Sequence, residues 1–295
     1  MKTTKIARKV VNILNVKLDS TSMPSVLRFV RLNLKLDRKF LIVTPNPEHI
    51  LKAQSDNDFK NILNSANLSL PDGIGIIAAS KFLILPNPEN IIRRLLVLPV
   101  QGLGVGFSVL FDREWLSSEL ELIHGRKIFM ELIELGNKMG WKVVLLGDRL
   151  KSAQKAKVTL ERNYQTINIS AVEGPNLNSD GSCVTKEDEM IEEQAISKIN
   201  EIKPELLFIG FGAPEQEKWI HKWFTKLNLT GAMVVGGTFD YISGKAKVPP
   251  KFLEKLELEW LWRLIREPKR LKRITSAVAG FPYKVFEYKL YEGYR

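Results

Sequence analysis

The stretch ELLFIGFGAPEQEKW, Glu205 to Trp219, decides the fold. Its first half, Glu205–Phe211, is an apolar run of strand length that ends at a glycine turn. Its second half starts a helix: Pro214 suits the first turn, and acids there complement the helix dipole. The same transition recurs along the chain. KFLIV (Lys39–Val43) runs into TPNPEHI, with helical patterning to about Leu63. A short strand near Leu68–Leu70 delivers LPDGIGI into a helix. KVVLL (Lys142–Leu146) is followed by Gly147-Asp148 and a helix from Lys151. A strand near Thr166–Ser170, an amphipathic helix Glu187–Asn200 and a strand Gly231–Gly237 complete the rhythm. Strands alternating with helices predict an α/β fold, a mostly parallel Rossmann-like sheet flanked by helices. Residues 1–244 read as this α/β domain, with an insertion over 81–121, and 245–295 as a basic helical C-terminal appendage.

The chain has 295 residues and one cysteine, Cys183. That excludes an internal disulfide and a Cys-rich zinc site, and it fits a reducing cytoplasm. His49, His124 and His221 show no metal-ligand spacing, and His49 reads as structural. The N-terminal stretch alternates basic and apolar residues without a long apolar core, so no cleaved signal is expected. The longest uncharged run, Leu95 to Phe111, is interrupted by Pro99, Gly102, Gly104 and Gly106. It is expected to be too short and too broken for a spanning helix, and the 81–121 insertion that holds it is expected to lie on the domain or touch something greasy.

The net charge of +11 is uneven: Lys245 to Arg273 holds ten Lys/Arg against four Glu. A basic excess points to a phosphate-rich partner. Trp260 and Trp262 stand among arginines, and Arg263, Arg266, Arg270 and Arg273 share a helical face if the helix passes Pro268. That pattern favours an anionic membrane surface or a lipid-linked diphosphate over a merely solvated face or a nucleic acid.

In open α/β sheets ligands bind beyond the carboxyl ends of the strands. Four loops there are polar or glycine-rich: Thr44–His49, Pro71–Gly75, Gly210–Glu217 and Gly236–Asp240. Asp72, directly before Gly73, fits either a helix cap or a general base. Thr44 and Asn46 bracket Pro45, so the loop is stiff and its polar side chains are aimed. Amides behind Gly212 are placed to receive a diphosphate, with Gln216 and Glu217 in the first helical turn. Asp240, after Gly237, suits a ribose hydroxyl.

Taken together, TPNPEHI, LPDGIGI, LFIGFGAPEQEKWI, GGTFDYISGKAK and LEWLWRLIREPKRLKR resemble the TagA/WecG/CpsF glycosyltransferases, glycosyltransferase family 26. These blocks lie in family order over most of Phe40–Arg273. The resemblance implies an inverting, metal-independent enzyme with no cofactor. It would move an N-acetylmannosamine-type sugar from a UDP-sugar to a polyprenyl-diphosphate-linked sugar at the cytoplasmic face of the membrane. Asp72 matches the family's general base, and Thr44 its pocket threonine, with Asn46 beside it. Gln216 and Asp240 match positions near the nucleotide sugar. Arg263, Arg270 and Arg273 match arginines that close over the diphosphate. No nucleic-acid partner is implied, and a homo-oligomer is left open.

The chain also departs from the family pattern. Where the family commonly has Thr-Gly-Ser/Thr-Asp, this chain has His124-Gly125-Arg126-Lys127, so bases replace an acid. The interval between Asp72 and Gly125, residues 73–124, is long because it carries the 81–121 insertion. Val248-Pro249-Pro250 stands where a basic-Ala-Pro triplet is usual.

Overall fold

The structure is a computed structural model that describes residues 9–149, 151–266 and 271–291. Its centre is a six-stranded sheet of β3 (Phe40–Val43), β4 (Leu68–Ser69), β5 (Lys142–Gly147), β6 (Asn168–Glu173), β7 (Leu206–Gly210) and β8 (Gly231–Val234). The order is β4-β3-β8-β7-β5-β6, and every neighbouring pair is parallel. The central strands are buried runs of β-branched and apolar residues, as a parallel sheet covered on both faces requires. An apolar cluster lies on each face: Val43, Leu146 and Leu207 belong to one, Ile42, Leu145 and Phe208 to the other. The alternation-based reading of an α/β parallel sheet therefore holds.

The sheet order has one consequence for function. β7 and β8 insert between the pair β4–β3 and the pair β5–β6. The loops that follow β4, β3, β8 and β7 therefore leave four adjacent strands at one rim.

Ahead of the sheet stands an antiparallel hairpin, β1 (Lys9–Ile13) and β2 (Val16–Ser20), that the helix–strand rhythm did not reveal. Leu14 and Asn15 both take positive φ, 49° and 63°, so this is a two-residue hairpin turn. The helical patterning to about Leu63 resolves into two helices, Pro47–Ser55 and Asn57–Ser65. The break is at Asp56, whose carboxylate accepts from the Phe59 amide and caps the second helix.

The Leu95–Phe111 run also differs from expectation. It lies within one continuous helix, Ile91–Phe111, with Pro99 inside. Asn90 caps its start by accepting from the Ile92 amide. Buried Arg94 and Leu98 before the proline, and Val105 after it, hold the helix to the domain on both sides of the interruption.

The appendage comprises helices Lys251–Lys255, Glu259–Arg266 and Leu271–Thr275, a π-helical turn Ser276–Gly280 and a last helix Phe281–Tyr291. Pro268 and Arg270 lie outside the described residues. The last helix places Phe281, Val285 and Leu290 in the same apolar cluster as one sheet face. Buried Lys289 bonds the carbonyls of Phe82 and Leu85, at the end of helix Ile74–Ile84, and the Gln101 side chain.

Candidate active site

Backbone bonds first bring the two outer loops together. The Leu70 amide donates to Val43 O at 2.9 Å, and the Asp72 amide donates to Pro45 O at 2.9 Å. Asn46 caps helix Pro47–Ser55 by accepting from the His49 amide at 3.0 Å. The ring of Pro47 then presses on the LPDGIGI turn. A Cβ at Gly75 would lie 3.0 Å from Pro47 Cγ, a tight approach, and Gly73 has φ +104°, a conformation that calls for glycine.

Gly73 is the N-cap of helix Ile74–Ile84, and among the described residues no side chain caps that end. Of the two readings of Asp72, the structure therefore does not use the cap. The carboxylate turns the other way: Oδ1 lies 3.5 Å from Nδ1 of His124. The Ile123 amide donates to Pro71 O at 3.1 Å, which brings the start of helix Gly125–Met139 against this turn. Gly125 stands under the convergence. A Cβ there would sit 3.1 Å from both Asp72 Oδ2 and Thr44 Oγ1. A carboxylate oxygen, a hydroxyl and a helix N-terminus thus share one small space.

His124 has a second acid partner. Its Nε2 lies 3.1 Å from Glu257 Oε2, on the appendage. Asp72 and then Glu257 raise the His124 pKa to about 10, so the ring is charged at neutral pH. Arg126 repeats the pattern: it contacts Glu254 at 3.0 Å and Glu259 at 3.7 Å. Two bases of the His124–Lys127 stretch, His124 and Arg126, therefore meet acids of the appendage. The sequence showed both sets, but nothing in their spacing, more than 120 residues apart, shows that they pair.

The two inner loops are held by Gln216, which is 2% exposed. Its Oε1 accepts from the Gly212 amide at 3.3 Å and the Gly236 amide at 3.1 Å, and its amide donates to Glu217 Oε1 at 3.0 Å. Gly212 and Gly236 have positive φ, 107° and 50°, which this joint demands. Glu217 is 1% exposed, and burial pushes its pKa up to about 7. Gln216 and Glu217, read from sequence as substrate-binding, are thus buried beneath the loops and shape them from below.

Asp240 Oδ1 accepts from Ser152 Oγ at 2.5 Å and lies 3.4 Å from Lys245 Nζ. The Arg263 guanidinium stacks on Tyr241, 5.1 Å from the ring centroid, with Arg126 also 4.8 Å from that centroid. Arg263 Nη2 comes within 3.3 Å of where a Gly237 Cβ would stand, so this arginine overlies the GGTFD turn. Arg273 donates to Glu48 Oε1 at 2.7 Å, fastening the appendage to the TPNPEHI helix. Arg270 lies outside the described residues. Burial lowers the pKa of His49 to about 4, so the ring is neutral at pH 7, and its reading as a structural residue fits that burial.

A family model, the glycosyl transferase WecG/TagA/CpsF family, matches residues 11–99 and 105–294. Relatives carry the name N-acetylglucosaminyldiphosphoundecaprenol N-acetyl-beta-D-mannosaminyltransferase. One from Staphylococcus aureus (strain MW2) is 26% identical over 95% of this chain and 93% of its own length. Another, from Bacillus subtilis (strain 168), is 28% identical over 82% of this chain and 78% of its own.

Proposed function

This chain belongs to the WecG/TagA/CpsF family of glycosyl transferases, and from that premise we propose a specific reaction. An N-acetylhexosamine-type sugar, N-acetylmannosamine or its uronic acid, passes from a UDP-sugar to a polyprenyl-diphosphate-linked sugar. The names of the relatives, which specify a lipid-diphosphate-linked acceptor and an N-acetylmannosaminyl group, support this substrate class. The reaction serves cell-surface polysaccharide or teichoic acid assembly, with the protein held peripherally at the inner face of the membrane.

The observation that carries the chemistry is the space shared by Asp72 Oδ2, Thr44 Oγ1 and the N-terminus of helix Gly125–Met139. With Oδ1 paired to His124, Oδ2 is the oxygen left to accept a proton from the acceptor hydroxyl. That hydroxyl oxygen attacks the anomeric carbon from the face opposite UDP. The bond from that carbon to the diphosphate oxygen breaks, and the configuration inverts. UDP leaves with the electron pair. Arg263 over the GGTFD turn and the arginines of the appendage meet its charge, a role that a metal fills in other sites. In this reading Thr44 positions the acceptor sugar, and Gln216 keeps the Gly212 and Gly236 loops open to the nucleotide.

Asp72→Asn, nearly isosteric, tests the assignment. UDP release with a short-chain lipid-diphosphate N-acetylglucosamine acceptor should fall by at least about a thousandfold, while UDP affinity stays within about twofold. Near-normal turnover would remove Asp72 from the reaction. A screen of UDP-N-acetylhexosamines with the same acceptor identifies the donor.

A further inference from the structure

The helix Ile91–Phe111 has its polarity reversed relative to a surface helix of a soluble domain. Arg94, Gln101 and Ser108 share the side that packs on the protein, with Leu98 and Val105. Arg94 donates from Nη1 to Leu290 O at 2.7 Å and from Nε to Pro88 O at 2.6 Å. Gln101 bonds Lys289 and Pro86 O. The opposite side is apolar and bare: Leu96 is 69% exposed, Val100 68%, Leu103 76%, Phe107 64% and Phe111 69%. At about 100° per residue, the exposed arc from Leu95 round to Val97 spans roughly 200°. Arg93 is the only charged residue in it.

The width of that arc decides what covers it. A partner helix covers a stripe roughly 100° wide, so a second copy packed through this helix would leave half of the apolar arc in water. Hydrocarbon wets the whole arc at once. The helix is long and apolar enough to cross a membrane, with mean hydropathy 1.7. Its ends, however, return to one domain. Arg94 is fixed to the last helix near one end. At the other, Val109 packs against the main apolar cluster, and Leu116 of the following helix Arg113–Leu116 is buried in it. A helix held along its length this way lies in the plane of an interface instead of spanning it. Tyr291 and Tyr283, 67% and 68% exposed on the adjoining last helix, and Trp115 beyond the far end have the amphipathic rings that settle at headgroup depth. The net charge of +11 favours an anionic leaflet.

We propose that helix Ile91–Phe111 is a membrane-embedded element, sunk by its apolar arc into one leaflet of an anionic bilayer. It is a different segment of the chain from the basic run Lys245–Arg273, and among the described residues only the last helix of the appendage packs against it. Its purpose rests on the lipid-linked acceptor proposed above, but its binding does not. Helix Ile74–Ile84 runs from the Gly73 turn to the region where this helix packs, a length of about 16 Å. That length keeps the Gly73 turn, and the candidate base before it, within reach of the embedded helix.

The test uses the full chain and the double variant Val100→Glu, Leu103→Glu, whose side chains point away from the protein. Sedimentation with phosphatidylglycerol–phosphatidylcholine vesicles is measured at 0.15 M and, with charge screened, at about 1 M salt. The parent chain should stay bound at both salts. The double variant should lose retention about tenfold or more at high salt, with unchanged thermal midpoint and unchanged UDP release on a short-chain, detergent-dispersed acceptor. Three results would overturn the proposal: release of the parent chain at high salt, equal retention of both chains, or a parent dimer in solution that the variant abolishes without any vesicle binding. Absence of UDP release in both chains would instead count against the proposed reaction, and vesicle retention would still decide the role of the helix.

Discussion

Replacing His124 with Gln should weaken the fold in a strongly pH-dependent way. The ring stands between Asp72 and Glu257, and these two acids raise its pKa from 6.5 to about 10. At about 1.4 kcal/mol for each tenfold gain in proton affinity, the ceiling on the linked stabilisation is about 5 kcal/mol. The side chain is 34% exposed, so solvent screening reduces this to about 1–2 kcal/mol. The sign follows from the direction. A folded-state pKa above the unfolded one gives stability that is fully present below pH 6.5 and fades as pH rises through about 10. Thermal or urea unfolding of the parent and His124→Gln at pH 6, 8 and 10 reads the difference directly. Titrations common to both proteins, such as those of Glu217 and Lys289, cancel in that difference. The gap should be about 2–4 °C in midpoint at pH 6 and close to nothing by pH 10. Glu257→Gln should bring the pH at which the gap closes downward. A gap of the same size at pH 6 and pH 10 would refute the argument, because His124 would then hold no charge in the fold.

Two other substitutions probe the site from different sides. Gly125→Ala places a methyl 3.1 Å from Asp72 Oδ2 and Thr44 Oγ1, and should lower turnover about tenfold or more with little change in unfolding midpoint. Unchanged kinetics would show that the shared space is not where the acceptor reacts. Gln216→Leu strips the Gly212 and Gly236 amides of their common acceptor. It should cost about 1–3 kcal/mol in urea unfolding and weaken UDP binding by calorimetry; a loss of stability alone would confine Gln216 to a structural role.

Deletion of the whole appendage is a poor test of membrane binding, although its charge invites one. Phe281, Val285 and Leu290 are buried against the main cluster, and Lys289 holds the end of helix Ile74–Ile84. Truncation after Lys245 would expose that core and unfold part of the domain along with any surface it removes. Single substitutions on exposed residues separate the two effects.

Local patterning was enough to reveal the sheet and the loops at its rim. Buried parallel strands are continuous apolar runs, and each is followed by a glycine- or proline-marked turn, so KFLIV, KVVLL and ELLFIG announce themselves without tertiary knowledge. The family blocks were equally legible, because Asp72, Thr44, Gln216 and the tail arginines each sit in a short conspicuous string. Tertiary structure alone decided how those residues are used. Asp72 proved not to be the cap because Gly73 took that position and His124 drew its carboxylate away. Gln216 lies under its loops because two amides from different strands converge on it. The acids that balance His124 and Arg126 come from the appendage, and charge pairing across such a separation leaves no periodic trace. The broken apolar run became one helix because its buried polar side is fixed to the domain, an interaction that hydropathy read along the chain does not contain. Sequence thus determined the strands of the central sheet, the turns that follow them and the chemical groups those turns carry, though not the leading hairpin. Folding decided which groups face one another, because hydrogen bonds and ion pairs depend on distances that only the packed chain sets.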